Sequence, residues 1–575
     1  MDKQSITRIY DWVKKSDFAQ AGKFCFKYCQ QSPRDREAQS VYGMLCNYVG
    51  QYANAEAVFR RMLAGNPQDA CAYFNLGRTL VVQHKLEEAE MAFREALRIK
   101  PDMAETYSNF AALLRQLDRP LEAIELYRKA EKLNPDFLNI NIHLLTRCES
   151  EENIAEGTLR FHSIMSGNRL FLMSYNVIGS EGDMLAESLR WDQQYGALGR
   201  VDGYQHDRSA DLGKRLRIGY VSPDFRKHSV SYFFEPLLRA HNRADVEVFC
   251  YAEISRSDEV TERIKILSDA WRVTLGQSDC QVAAQIQADG IDILVDLAGH
   301  TSQNRLGVFT YKPAPIQLTY LGYFATTGLA AMDYWLTDAV LTPEDTVEQA
   351  VETLWRLPRC CVSYTGPIQA PAVTEREEGN PVVFGNFNDL SKAGPGSVES
   401  WAEILRRVPG SSLLLKARQL GDESVRQAWW EKFEALGIER DRLLLRGRTA
   451  GLEQHLAMYG EVDICLDTMP RTGGTTTAEA LWMGVPVVSL AGGRFVERLS
   501  ATMLAAVGLD DLVTSNKDEY IEKAVEWAGS GEKRHILRAT LRERLQESAL
   551  CDHVGLAQSV ESAYKAMWAK FNTED

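Results

Sequence analysis

The residues best equipped for chemistry lie in one stretch, 464–490, which reads ICLDTMPRTGGTTTAEALWMGVPVVSL. A short apolar run, Ile464-Cys465-Leu466, ends at Asp467. A loop with Pro470 and the pair Gly473-Gly474 follows, then the hydroxyl residues Thr475, Thr476 and Thr477, and a helical pattern from Ala478 to Met483. Gly484 and Pro486 stop that helix, and a second apolar run, Val485 to Leu490, begins. Strand, glycine loop, helix and strand together offer free backbone N–H groups and a positive dipole end, which suit phosphate oxygens. No lysine follows the glycines as in a Walker loop, and the dinucleotide pattern GxGxxG is absent. A plainer reading competes: Thr476 to Glu479 is also a T-x-x-E capping box, which needs no ligand.

Further candidates lie upstream. Apolar runs at 216–221, 246–251, 291–295 and 316–321 alternate with helical patterns near 229 and 281–288. The alternation predicts a parallel sheet covered by helices on both faces. In such sheets chemistry sits beyond the carboxyl ends of the strands. Asp224, His228, Asp296, His300 and Gly322 all fall just past such ends. His228 has the intrinsic pKa of a proton acceptor, and Asp224 or Asp296 can assist it. A loop-rich linker, 367–381, leads to a second set of runs at 382–384, 412–416, 442–445 and 464–466, with helices expected at 397–408, 422–436 and 451–460. Lys392 follows the first of these strands and is expected opposite the glycine-threonine loop, where an ammonium suits a diphosphate. The alternative is a solvated loop lysine. Arg494, after the strand at 485–490, fits either a phosphate contact or a structural ion pair.

The N-terminal part is periodic. Pro33, Pro67, Pro101 and Pro135 are each 34 residues apart, the tetratricopeptide period. The units run 2–35, 36–69, 70–103 and 104–137, with Ala21, Ala55, Ala89 and Ala123 where the paired helices cross. Phe59, Phe93 and Tyr127 follow four positions later, and Gly43, Gly77 and Ala111 occupy position eight. The first unit, with Ile9 and Cys25 at these sites, reads as a degenerate cap. Stacked helix pairs form a superhelix whose concave face commonly binds extended peptide. Asn75 and Asn109, at one repeat position, are candidate acceptor-peptide contacts; the alternative is that asparagine merely fits the repeat consensus. The expected domains are the repeats at 1–137, a helical connector at 138–213, and two Rossmann-like domains at 214–365 and 366–575, the latter ending in helices.

Composition limits the partners. The 575 residues carry a net charge of −14, which disfavours non-specific nucleic-acid or anionic-membrane binding. No apolar run approaches a membrane span, and the first residues lack a signal-peptide core. The 11 cysteines include no C-x-x-C pair and are read as reduced thiols of a cytoplasmic protein without structural zinc.

GYVSPDFRKHSVSYFFEPLL, KPAPIQLTYLGYFATTG, GNFNDLSK and CLDTMPRTGGTTTAEALWMGVPVV, following tetratricopeptide repeats, resemble the protein O-GlcNAc transferase / SPINDLY family over almost the whole chain. The resemblance implies a GT-B fold and an inverting glycosyltransferase that needs no metal ion or other cofactor. It would move a sugar from a nucleotide donor to Ser or Thr hydroxyls of proteins. It implies that His228 lines the active site, that Lys392 meets the donor diphosphate and that His455 lies beside the base. Thr475 and Thr476 would touch the phosphates, within a nucleotide-sugar site that also takes in Gly322, Gly473 and Thr477. Glu479 stands where the animal enzymes place an Asp on the ribose. Gly474 replaces a His, and Asp389 a Gln beside the uracil. The expected donor is UDP-GlcNAc. GDP-fucose, used by the plant SPINDLY enzymes, is the alternative, and a catalytically dead tetratricopeptide scaffold is the alternative of another class.

Overall fold

The computed structural model describes residues 1–14, 18–117, 119–133, 163, 166–173, 181–196, 203–208, 211–254, 256–367, 369–376 and 379–573. Pro135 and much of the expected connector lie outside these residues. The chain divides into two compact units, Met1–Arg169 and Leu170–Asp575.

The first unit is a run of antiparallel helix pairs: α1 (Lys3–Lys14) with α2 (Phe18–Gln31), α3 (Arg36–Tyr48) with α4 (Tyr52–Gly65), α5 (Ala70–Val82) with α6 (Leu86–Ile99), and α7 (Ala104–Gln116) with α8 (Pro120–Lys132). The residues at the helix crossings, Ala21, Ala55, Ala89 and Ala123, are fully buried, as are Phe59 and Phe93. Glycine at position eight has a steric cause. A Cβ on Gly43 would lie 2.6 Å from the Phe59 ring, and one on Gly77 the same distance from Phe93. Unit boundaries are set by caps: Asp35 and Asp69 accept from the backbone N–H of Ala38 and Ala72 and start α3 and α5. Ile9 and Cys25 fill their positions in the first pair as buried apolar groups.

The second unit holds two parallel sheets. The first contains β1 (Leu216–Ser222), β2 (Val246–Ala252), β3 (Ala270–Val273), β4 (Ile293–Asp296), β5 (Ile316–Thr319), β6 (Tyr334–Asp338) and β7 (Thr353–Leu357), in the order β3-β2-β1-β4-β5-β6-β7. The second contains β8 (Val383–Asn386), β9 (Ser412–Lys416), β10 (Leu443–Arg446), β11 (Ile464–Leu466), β12 (Val487–Leu490) and β13 (Val513–Thr514), in the order β10-β9-β8-β11-β12-β13. The four strands β3, β6, β7 and β13 have no counterpart in the sequence reading. Both sheets reverse their winding between the first strand and the fourth, so each opens a crevice there, at β1/β4 and at β8/β11.

Five helices of this unit bear on the site: α9 (Glu181–Trp191), α10 (Ser229–Ala240), α11 (Leu452–Ala457), α12 (Thr475–Trp482) and α13 (His553–Thr573). The terminal helix α13 follows the second sheet in sequence but packs on α10 of the first. Tyr564 Oη lies 3.2 Å from Tyr220 Oη, and Glu561 accepts from the His241 ring at 2.9 Å. Segments that follow β12 of the second sheet also reach β6: the Phe495 and Trp335 rings are 4.7 Å apart, and Thr502 donates to Asp338 at 2.8 Å.

His300, past β4, is fully buried between Trp191 of α9 and Tyr323, and its Nε2 donates to Thr327 O at 2.7 Å. Burial pushes its pKa from 6.5 down to about 4. The unfolded chain takes this proton near 6.5 and the folded chain only near 4, so the stabilisation is complete above 6.5 and is lost progressively as pH falls toward 4. Wild type is therefore expected to lose about 2 kcal/mol through this group between about pH 7.5 and about pH 5. Urea denaturation of wild type and His300→Gln at both pH values checks this; an unchanged pH slope in the variant would refute the assignment.

Candidate functional site

The crevice of the second sheet is built by two loops. After β11, Asp467 is buried and fixes the glycine loop: its Oδ1 accepts from the N–H of Thr468 and Gly473 at 2.9 and 2.7 Å, and its Oδ2 from Ser489 Oγ at 2.7 Å. Gly473 has no room for a side chain, since a Cβ would lie 2.2 Å from Thr477 Oγ1. Thr477 is itself buried and shares a hydrogen bond with Ser500 Oγ at 2.7 Å. Gly474 differs: a Cβ there meets nothing within 4 Å. It is the N-cap of α12, which begins at Thr475, earlier than the sequence pattern indicated. Among the described residues, the N–H groups of Thr475 and Thr476 have no acceptor. The capping-box expectation is corrected. No side chain caps α12; Thr476 Oγ1 donates instead to Asn388 Oδ1 at 2.7 Å, and Glu479 accepts from His455 Nε2 at 2.9 Å.

The second loop follows β8. Asp389 is exposed and starts a 3₁₀ turn, Leu390–Lys392; its Oδ1 accepts from Ser391 N at 3.1 Å, from Ser391 Oγ and from Gln419 Nε2 at 2.7 Å. Lys392 does not float in solvent. Its Nζ donates to Asn388 Oδ1 and Thr472 O, both at 3.2 Å, and among the described residues no carboxylate pairs with it. Burial, reinforced by the nearby Arg471 guanidinium, lowers its pKa to about 7 against the pull of Asp467 and Asp389. Arg471 is 3 % exposed and lies over the Phe324 ring at 4.1 Å and the Phe171 ring at 5.5 Å. Asn388, Tyr459 and Thr476 help to line a recess of about 220 Å³ over the end of β11.

The nucleoside candidates meet in one chain of contacts. His455 of α11 bonds Lys416 through Nδ1 and Glu479 through Nε2, with the Phe387 and Tyr459 rings at 5.9 and 5.8 Å.

On the first sheet, His228 is the N-cap of α10. Its Nδ1 accepts from Val230 N at 3.3 Å and lies 3.4 Å from Asp224 Oδ2. Burial lowers the His228 pKa and raises that of Asp224. One turn further on, burial raises the Tyr232 pKa, with the Glu479 charge adding to it. Asp296 serves the fold: its oxygens accept from Ala298 N, Gly299 N and Thr319 Oγ1, and burial brings its pKa to about 6. Gly322 lets two loops cross, because a Cβ would lie 1.9 Å from Leu297 O. Arg494 pairs with Glu497 at 3.0 Å and lines a shallow pocket with Phe324 and Glu348. In the first unit, Asn75 is buried and Asn109 half-buried, and both amides donate to carbonyls of their own helices, Cys71 O at 3.0 Å and Glu105 O at 2.8 Å.

Sequence reasoning did not single out Asn388, Arg471 or Lys416. Asn388 stands within GNFNDLSK and Arg471 beside the glycine pair, while Lys416 ends a strand, the position that drew attention to Asp224 and Asp296.

Two doubly wound sheets in one compact unit, their carboxyl ends facing each other over a loop that presents free N–H groups, form a GT-B fold, the architecture of nucleotide-sugar glycosyltransferases. Glycosyl transferase family 41 matches residues 197–363 and 371–560, and a tetratricopeptide repeat match spans 68–135. The chain belongs to glycosyl transferase family 41. A lysine-to-methionine mutant of the Thermobaculum terrenum O-GlcNAc transferase superposes with a TM-score of 0.71 at 30 % identity, covering 100 % of this chain and 99 % of that one. The Petunia hybrida probable UDP-N-acetylglucosamine–peptide N-acetylglucosaminyltransferase SPINDLY is 38 % identical over 418 residues, 70 % of this chain and 44 % of its own. The Caenorhabditis elegans UDP-N-acetylglucosamine–peptide N-acetylglucosaminyltransferase is 27 % identical over 497 residues, 65 % of this chain and 43 % of its own. The chain thus spans less than half the length of these curated relatives. No helix among the described residues is long and apolar enough to cross a membrane.

The two loop glycines should respond differently to substitution. Gly473→Ala is expected to lower stability by about 1–3 kcal/mol through overpacking against Thr477, while Gly474→Ala stays within about 0.5 kcal/mol of wild type. Thermal denaturation of both variants checks the pair of outcomes.

Proposed function

We propose that this protein transfers N-acetylglucosamine from UDP-GlcNAc to Ser or Thr hydroxyls of polypeptides, with inversion at the sugar carbon. The observation that carries the reading is Lys392, held on neutral oxygens at 3.2 Å beside the start of α12. The names borne by the relatives support the donor and the acceptor class. A diphosphate at the loop would give Lys392 the counter-charge it lacks and would raise its pKa again. The proposal assigns the leaving-group charge to Lys392, the Thr475 and Thr476 N–H groups and their hydroxyls, rather than to a metal ion.

His228 is proposed as the base, and its tautomer matters. While Nδ1 accepts from Val230, the proton sits on Nε2 and that nitrogen cannot receive another. Moving the ring proton to Nδ1, where Asp224 Oδ2 lies 3.4 Å away, frees the Nε2 lone pair for an acceptor hydroxyl. Its lowered pKa keeps the imidazole neutral near pH 7, as a base requires.

The tetratricopeptide unit is proposed to hold the polypeptide acceptor, with half-buried Asn109 better placed than Asn75, which is 1 % exposed. A cytoplasmic setting accords with the free cysteines.

Lys392→Ala is expected to cut kcat/KM for glycosyl transfer by about 10²–10³. It should leave the melting temperature equal or higher, because the removed cation is poorly solvated. Near-normal turnover in the purified variant would refute the donor-site assignment.

The competing donor, GDP-fucose, draws on Asp389 as a partner for the guanine N–H groups. Asp389 Oδ1, however, is committed to Ser391 and Gln419. Calorimetric titration is expected to show UDP binding more tightly than GDP, with the preference kept in Asp389→Asn, which retains that oxygen. Tighter GDP binding that weakens in Asp389→Asn would make the protein a fucosyltransferase-type enzyme instead.

A further inference from the structure

Lys416 is the last residue of β9, a half-buried cation at the end of the run Leu413-Leu414-Leu415. Its ammonium meets Nδ1 of His455. An ammonium has only N–H groups to offer and no lone pair, so Nδ1 must carry the lone pair and the ring proton must sit on Nε2. There it donates to Glu479 Oε2 at 2.9 Å. We propose that Lys416 is a positioning residue for the donor: it fixes His455 in the Nε2–H tautomer and thereby aims the Glu479 carboxylate at the nucleoside hydroxyls. The inference rests on the nucleotide-sugar reading given above.

The geometry makes Lys416 the origin of a directed chain, Lys416 to His455 to Glu479, that joins β9, α11 and α12. The charged and titratable groups around it are few. Burial lowers the Lys416 pKa, Glu479 pulls it back up and Arg448 lowers it further. Tyr459 lies beside the imidazole, and Tyr232 and Tyr364 feel the Glu479 charge. Without Lys416, nothing on Nδ1 selects the tautomer, and the Nε2–H that orients Glu479 is no longer enforced.

The test uses the full chain with Lys416→Met, which keeps length and loses the donor, and Lys416→Gln, which keeps a neutral N–H donor. Nitrogen-15 spectra of labelled histidines are recorded at about pH 7 without donor, and the His455 signals are identified by their loss in His455→Phe. Wild type and Lys416→Gln are expected to show the ring protonated on Nε2 with Nδ1 bare, and Lys416→Met a mixture of the two tautomers. Lys416→Met should raise the KM for UDP-GlcNAc about tenfold while kcat stays within about twofold, and Lys416→Gln should recover most of the KM. An unchanged His455 spectrum in Lys416→Met overturns the proposal, and so does an equal fall of kcat and kcat/KM. If wild type binds no UDP-sugar, the donor reading fails, while the spectra still decide the tautomer.

Discussion

A buried lysine held without a carboxylate partner, its pKa pushed down to about 7, is the constraint on which the rest of the second unit turns. Lys392 is kept in place by two neutral oxygens, Asn388 Oδ1 and Thr472 O, with a second cation, Arg471, close enough to depress its pKa. Burying charge in this way costs free energy unless something else is gained. The surroundings are arranged to prevent its collapse onto a carboxylate. Asp467, the nearest candidate after β11, has its oxygens taken by Thr468, Gly473 and Ser489, and Asp389 gives Oδ1 to Ser391 and Gln419. Asn388 divides one oxygen between Lys392 and Thr476, which holds the ammonium and the start of α12 in a fixed relation. The crevice at β8/β11 exists because the winding reverses there, and both loops grow from its two edges.

Much of this was legible in the sequence, for reasons that differ from element to element. The repeats announced themselves through proline spacing and through glycine facing a phenylalanine, a contact made within one helix pair and so recorded in local order. The strands β1, β2, β4 and β5 are largely apolar runs with helices between them, and all of their residues but two, Arg217 and Glu247, are buried. The strands that went unread lack that signature. Ala270–Val273 and Thr353–Leu357 are sheet edges, partly exposed and mixed in character, and Val513–Thr514 is two residues long. Tyr334–Asp338 is wholly buried, but its aromatic and polar side chains give no apolar run to read.

Site residues divide the same way. Lys392 and His228 were nominated because each stands just past a strand end. Asn388 and Arg471 were missed because partners distant in sequence give them their roles: Thr476 is 88 residues from Asn388, and Arg471 faces Phe324. The T-x-x-E pattern misled for the complementary reason. It describes a local bond between Thr476 and Glu479, and both side chains found better partners elsewhere. For Glu479 that partner is an imidazole 24 residues earlier, already polarised by Lys416. A local motif is a competition that long-range contacts can win.

Position past a strand end therefore nominates residues without assigning their roles; hydrogen-bond satisfaction assigns them. Asp296 and Asp467 both sit at strand ends, both are buried, and burial raises both pKa values. Each is filled by backbone N–H and hydroxyl donors, so each spends its charge on holding a loop. Asp224 and Glu479 lie against histidines instead, at 3.4 and 2.9 Å, with Asp224 Oδ1 also accepting from Arg226 at 3.2 Å. A histidine can change its tautomer or take a proton, so a carboxylate bound to one keeps a variable partner, while one bound to backbone amides does not. The fixed pair builds the cradle. The variable pair belongs to the two halves of the second unit, with Asp224 beside His228 at the start of α10 and Glu479 beside His455 between α11 and α12, so each candidate histidine has its own carboxylate neighbour.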